Sequence, residues 1–288
     1  MNLLTQRDVI AHQALVPWPN RRQVEQDLLL CQAMVALFND DFLKGQIAMR
    51  GGTLLHKVHL APASRYSEDI DLVVVGDRPK EHIEKALRRV LSDVLGKPAA
   101  SVWGAVRLAV RNALRPSEIL RLTYRLDCVS EHGSEPLEIV VEANVTERTP
   151  HREIVRVPFA HSFRGQDASV AVNAFDIHEM LGTKMRAMFQ RRRGRDLFDL
   201  YWALTHAPKP VDPHGIIESF RHYMDQEGAV AGREEFVGIL RGHLRDPGFL
   251  TDMDALLRVG IQYDPMEAAD FVTEHLLNRL PIGGEGRG

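Results

Sequence analysis

The sequence predicts an α+β protein: an amino-terminal α/β part built on a mixed or mainly antiparallel sheet, followed by an α-helical carboxy-terminal part. Three observations carry this. Residues 118–145 hold two segments in which apolar and polar side chains alternate around a turn. Residues 20–38 and 79–95 repeat apolar positions every three or four residues, the period of one helix face. From Asp176 to about Leu280 the pattern is almost wholly helical. The expected organisation is a helical segment over 1–44, an α/β core over 45–175, a helical domain over 176–280 and a disordered tail over 281–288.

Taken in order, NRRQVEQDLLLCQAMVALF is the first clear helix. Pro17 and Pro19 break the chain before it, Asn20 is its cap, and Val24, Leu28, Cys31, Val35 and Phe38 form its apolar face. A short strand, GQIAMR, leads into Gly51. A helix, TLLHKVHL, follows and ends before Pro62, and the strand DIDLVVV is closed by Gly76. The helix over 79–95 buries Ile83, Ala86, Leu87, Val90 and Leu91 and stops at Gly96 and Pro98. In EILRLTYRLDCV one face carries Leu120, Leu122 and Tyr124, and the other Arg121, Thr123 and Arg125. LEIVVEANV sets Leu137, Ile139, Val141 and Ala143 against Glu138, Val140, Glu142 and Asn144, which completes an antiparallel hairpin with one core face. Asp176 and Glu179 open the next helix as a capping box.

With 288 residues, 44% of them apolar, the chain can bury one large core or two ordinary ones. A net charge of −3 excludes a polycation, so any nucleic acid must meet a local patch. Two cysteines, Cys31 and Cys128, make neither a disulfide framework nor a zinc site and point to a reducing, cytoplasmic compartment. No apolar run reaches the length of a membrane span, and the opening residues do not read as a secretory signal.

The chemistry-bearing residues cluster in RGGTLLHKVHLAPASRYSEDIDLVVV. Ser67, Asp69 and Asp71 stand two apart, so in a strand they share one face. Two close carboxylates repel unless a cation lies between them, and Mg²⁺ takes a few carboxylates together with phosphate oxygens. The alternative is a solvated pair at a strand mouth. Gly51 and Gly52 let a ligand approach the backbone, and a helix starting near Thr53 offers N–H groups to phosphate, with the Thr53 hydroxyl as a further donor. Glu142, on the polar face of its strand, is the candidate third acid. Lys184 falls on the apolar stripe of Ile177, Met180, Leu181, Met185 and Met188, where it must snorkel outward or meet a negative partner such as a buried aspartate or a triphosphate. Asp196 and Asp199 share a helix face, and Asp199 can meet Lys184 or a nucleotide hydroxyl. Arg191, Arg192, Arg193 and Arg195 form either a solvated loop or a contact for nucleic-acid or NTP phosphates. No GxxxxGK[ST], GxGxxG or GxSxG motif occurs, and His56 and His59 lack a third ligand nearby and read as packing or surface residues.

GGT, a helix and then SEDIDL resembles the amino-terminal motif of the nucleotidyltransferase superfamily with the polymerase-β-like fold. MRGGTLLHKVHL, RYSEDIDLVV and KMRAMFQRRRGRDLFDLYW together are similar to the AbiEii toxin family of type IV toxin–antitoxin and abortive-infection systems, over about Gly45 to Ala207. The resemblance implies a polymerase-β-like core with a mixed sheet and a carboxy-terminal helical domain. Gly51, Gly52 and Ser67 would cradle an NTP triphosphate, and Asp69 and Asp71 would bind Mg²⁺, with Mn²⁺ as an alternative. Lys184 would contact the nucleotide phosphates, Asp199 would be the downstream acid needed for activity, and Glu142 would stand at the third carboxylate. Thr53 occupies a position where many members carry serine. The implied reaction transfers a nucleoside monophosphate and releases pyrophosphate. The implied acceptor is the 3′ end of tRNA, blocking aminoacylation, and the implied partner is a cognate antitoxin. Two other readings stay open: transfer to a protein or small-molecule hydroxyl, and a non-catalytic module that binds RNA or antitoxin.

Overall fold

In this computed structural model, residues 4–107, 116–131, 133, 135–146 and 148–282 are described; the expected tail lies outside them from residue 283 onward. Two compact units are present. One comprises the chain to Val106, Pro116–Phe175 and Leu257–Val259, and the other Arg107–Arg115, Asp176–Leu256 and the chain from Gly260.

In the first unit, helix α1 (Gln6–Gln13) is opened by a Thr5/Asp8 capping box. Helix α2 (Arg21–Asn39) starts at Asn20, whose side chain accepts from the Arg22 N–H, and Gln23 completes the box. Strand β1 (Ile47–Arg50) runs directly into a short helix α3 (Gly51–Leu54), which continues as a π-turn over Leu55–His59. Strand β2 (Asp69–Val74), helix α4 (Lys80–Leu95) and strands β3 (Ala100–Arg107), β4 (Pro116–Leu126), β5 (Leu137–Asn144), β6 (Val155–Phe163) and β7 (Gln166–Ala174) follow.

The strands form one mixed sheet in the order β3-β4-β5-β2-β1-β7-β6. β1 and β2 are antiparallel with Arg50 opposite Asp71, whereas β2 and β5 are parallel with Asp71 opposite Glu142. The β4–β5 hairpin forms as the alternation predicts, with Arg121 opposite Glu142. Its inward residues Leu120, Leu122, Tyr124, Leu137, Ile139, Val141 and Ala143 are all buried. On β2, Ile70 and Leu72 are buried while Asp69 and Asp71 on the other face are half-buried. Each such buried aliphatic side chain contributes about 1.5–3 kcal/mol, and this burial fixes which way the acids point.

The second unit is helical: α5 (Ile177–Gln190), α6 (Gly194–His206), α7 (Pro213–Gln226), α8 (Arg233–His243), α9 (Pro247–Leu250) and α10 (Pro265–His275). α5 packs on α6, α7 and α8, and α6 on α10. Asp176 caps α5 through the His178 N–H. Glu179, expected to complete a capping box, is buried and accepts the Tyr223 hydroxyl at 2.5 Å, which ties α5 to α7.

Candidate active site

The site begins where β1 becomes α3. Gly51 has φ of +85°, a left-handed conformation that side chains disfavour. A Cβ added there would lie 1.9 Å from Asp71 Oδ2. The Asp71 carboxylate therefore packs on the Gly51 backbone, and only glycine leaves room for it. A Cβ on Gly52 would meet Arg65 Nη2 at 2.6 Å and Ser67 Oγ at 3.0 Å. The two glycines, Ser67 and Asp71 thus share one small cradle, although Gly51 and Asp71 lie twenty residues apart. No side-chain cap closes the start of α3 at Arg50, so the turn offers its N–H groups in the manner that suits phosphate.

Thr53 is wholly buried, and its hydroxyl donates to the Asp69 main-chain carbonyl at 2.5 Å. That hydroxyl fastens the helix to β2 beside the acids, so the cradle is held from two sides. Asp69 and Asp71 project from the same face, and Glu142 stands beside Asp71 in the β2–β5 register. The three expected metal-binding acids are therefore on one face. Glu142 is engaged by Arg121, whose Nε donates to Oε1 at 2.7 Å and whose Nη2 lies 2.5 Å from the same oxygen.

A set of hard carboxylate oxygens beside a glycine turn matches what Mg²⁺ or Mn²⁺ takes in company with phosphate. The close approach at Gly51 reserves backbone space that any other residue would fill. On donor chemistry and on space, the residues present fit the metal and nucleotide.

Sequence reasoning missed Arg65. It is buried, with its guanidinium against Gly52, and its Nη1 donates to the Tyr66 carbonyl at 3.0 Å. Its position two residues before Ser67, in the same alternation, was the available signal.

Also missed was the buried polar knot beneath the cradle. Lys57, in the π-turn, forms a short ion pair with Asp27 on α2 and reaches Cys31 Sγ at 3.6 Å. Asp27 also accepts from His12 Nε2 at 2.7 Å and from Trp18 Nε1 at 2.9 Å. Burial works against the Asp27 carboxylate, but the Lys57 ammonium and His12 outweigh it and hold it well below the usual range. Lys57 is likewise disfavoured by burial and restored by Asp27, so its ammonium is held above the usual value. Burial pushes the Cys31 thiol up to about 12. The donor atoms of His12, Asp27 and Cys31 lie within 4.8 Å of one another, the one such trio among the described residues. Lys57 already supplies the positive charge there, so the trio acts as a lock between α2 and the cradle helix. His56 is buried against the Ser64 hydroxyl at 3.1 Å, and His59 donates to the Phe175 carbonyl at 2.9 Å. Both are packing residues.

In the second unit Lys184 meets a negative partner instead of snorkelling. It is 9% exposed, with Nζ 2.8 Å from Asp199 and 3.4 Å from Asp196, both fully buried. Arg191 clamps Asp196 through Nε and Nη2 at 2.8 and 2.9 Å. Arg192 pairs with Asp246 at 2.8 Å and Arg195 with Asp252 at 3.6 Å, while Arg193 lies exposed just before α6. Lys184, Asp196, Asp199 and Arg191 therefore form one ionic cluster.

Comparison with known proteins places the chain in a family. A family model described as the nucleotidyl transferase AbiEii toxin of a type IV toxin–antitoxin system matches residues 32–274. Among solved structures, MenT4, a nucleotidyltransferase toxin from Mycobacterium tuberculosis H37Rv, is 15% identical. It superposes with a TM-score of 0.59 over 96% of this chain and 91% of that one. JHP933 from Helicobacter pylori is 16% identical, with a TM-score of 0.47 over 89% of this chain and 90% of that one. An antigenic nucleotidyltransferase-like protein from Paracoccidioides brasiliensis is 17% identical, with a TM-score of 0.36 over 70% of this chain and 88% of that one. At 15% identity the MenT4 likeness establishes a shared fold. No curated protein matches the chain.

Proposed function

The chain belongs to the AbiEii family of nucleotidyltransferase toxins of type IV toxin–antitoxin systems, and from that premise we propose that it transfers a nucleoside monophosphate from an NTP to the 3′ acceptor end of tRNA, blocking aminoacylation and growth. The observation that carries this reading is the cradle itself, with the Asp71 carboxylate against Gly51 and the Ser67 hydroxyl against Gly52.

Asp69, Asp71 and Glu142 would hold the metal. When bound, Mg²⁺ or Mn²⁺ lowers the pKa of the acceptor hydroxyl and stabilises departing pyrophosphate. The Gly51–Gly52 backbone N–H groups and the Ser67 hydroxyl donate to triphosphate oxygens and hold the α-phosphorus for in-line attack. The acceptor oxygen forms a bond to that phosphorus while the bond to the leaving pyrophosphate breaks, and the acceptor proton passes to a carboxylate or to water. Thr53 keeps the helix start aligned with β2. Lys184 is the phosphate contact that family membership implies, and Asp199, 2.8 Å from its Nζ, is the acid that orients it. Arg191, Arg192, Arg193 and Arg195 offer cationic contacts to RNA or phosphate; the first two are more than half exposed even while paired.

A cognate antitoxin is the partner the family implies, and a reducing cytoplasm suits both unpaired cysteines. Among the described residues no helix is long and apolar enough to cross a membrane. The test is to incubate the protein with Mg²⁺, each α-labelled NTP and either total RNA or cell protein. Label entering tRNA supports the reading. Label entering only protein or small molecules moves the acceptor to those classes, and no label with any NTP removes the transferase.

A further inference from the structure

We infer that Arg121 is a positioning residue for the metal site, holding the Glu142 carboxylate in the orientation in which it takes a divalent cation. The inference rests on the reading above that Glu142 is the third acid.

Arg121, Glu142 and Asp71 occupy one register row across β4, β5 and β2. Residues opposite one another in neighbouring strands share a face, so the guanidinium, the carboxylate and the metal-binding acid stand side by side. Both Arg121 contacts fall on a single oxygen: Nε at 2.7 Å and Nη2 at 2.5 Å from Glu142 Oε1. A carboxylate offers about four lone-pair sites on two oxygens. Arginine at one oxygen restricts the rotation of the group and leaves the lone pairs of Oε2 outside the Arg121 contact. Among the described residues, Arg121 is the one side-chain partner of the Glu142 carboxylate. Without it, a glutamate on a strand face is free to turn to solvent.

The guanidinium suits this task. It carries a fixed charge and a rigid pair of donors, whereas lysine carries the same charge as a mobile point. Arg121 has a side chain 57% exposed and Glu142 one 24% exposed, so the pair adds little to stability and its substitution leaves the fold intact.

The Arg121→Lys variant tests this because it keeps the charge and removes the geometry. Mn²⁺ binding to nucleotide-free protein, followed by loss of the free-ion EPR signal, should weaken about tenfold, the usual effect of removing a partner that orients a metal ligand. Glu142→Gln should weaken it as well, and adding Arg121→Lys to Glu142→Gln should change nothing further. The Mg²⁺ concentration for half-maximal nucleotide transfer should rise in parallel, and the thermal midpoint should stay constant. Unchanged or tighter Mn²⁺ binding by Arg121→Lys overturns the inference while leaving Glu142 as a ligand. If Glu142→Gln binds Mn²⁺ like the wild type, the third-acid reading fails instead. If the wild type binds no Mn²⁺, both fall.

Discussion

Replacing Gly51 by alanine probes the cradle with a single carbon. The new Cβ must adopt φ near +85° and sit 1.9 Å from Asp71 Oδ2, far inside the 3.4 Å at which ordinary contact begins. The left-handed backbone costs an alanine roughly 1–2 kcal/mol. Forcing an extra carbon into filled space adds about 1–3 kcal/mol. Urea unfolding should therefore show a loss of about 2–5 kcal/mol if the turn keeps its shape. If the turn relaxes instead, stability is partly recovered, but Asp71 is displaced and nucleotide transfer falls by at least two orders of magnitude. Gly52→Ala is a milder control: its closest contact is the Arg65 Nη2 end of a side chain, at 2.6 Å, and its φ is not in the left-handed region. A Gly51→Ala protein with both wild-type stability and wild-type transfer would refute the claim that Asp71 and the turn share this space.

Three further outcomes are expected. Asp69→Ala should abolish both nucleotide transfer and toxicity on expression, and persistent toxicity would favour a binding module over an enzyme. Lys184→Ala removes the ammonium 2.8 Å from fully buried Asp199 and should cost about 3–5 kcal/mol in denaturant unfolding; a loss under 1 kcal/mol would mean the cluster is not buried as described. His161 is 8% exposed, and burial, with His12 and Lys57 nearby, pushes its pKa down from 6.5 to about 4. Between those values the unfolded chain binds a proton that the folded chain does not, so stability falls as pH drops from about 6.5 to 4, by up to about 3 kcal/mol. His161→Phe should flatten that part of the stability–pH curve, and an unchanged slope would assign it to another group.

Much of this was legible in the sequence for local reasons. β2, β4 and β5 announce themselves because alternation is a property of a few adjacent residues, and the predicted inward faces are the buried ones. The Asn20 cap and the apolar face of α4 are equally local. β6 and β7 were not predicted. β6 carries Pro158 near its middle, and its hairpin turns at Arg164 and Gly165, both at positive φ, without an Asn-Gly or Asp-Gly signal. The parallel β2–β5 pairing, which sets Glu142 beside Asp71, joins residues about seventy positions apart and leaves no local trace. Lys184 was visible as an anomaly on an apolar stripe, and its pairing with Asp199 follows from the two helices packing together. The Lys57–Asp27–His12 knot was invisible because each member alone resembles an ordinary surface residue.

The most direct measurement is calorimetric binding of a non-hydrolysable NTP analogue, with and without Mg²⁺, to the wild type and to Asp71→Asn. The wild type should bind the analogue tightly only with Mg²⁺. Asp71→Asn, matched in shape but uncharged, should lose that metal-dependent part, a weakening of about tenfold or more. Equal affinity for the two proteins in Mg²⁺ would contradict the assignment of this strand's acids as the metal–nucleotide site.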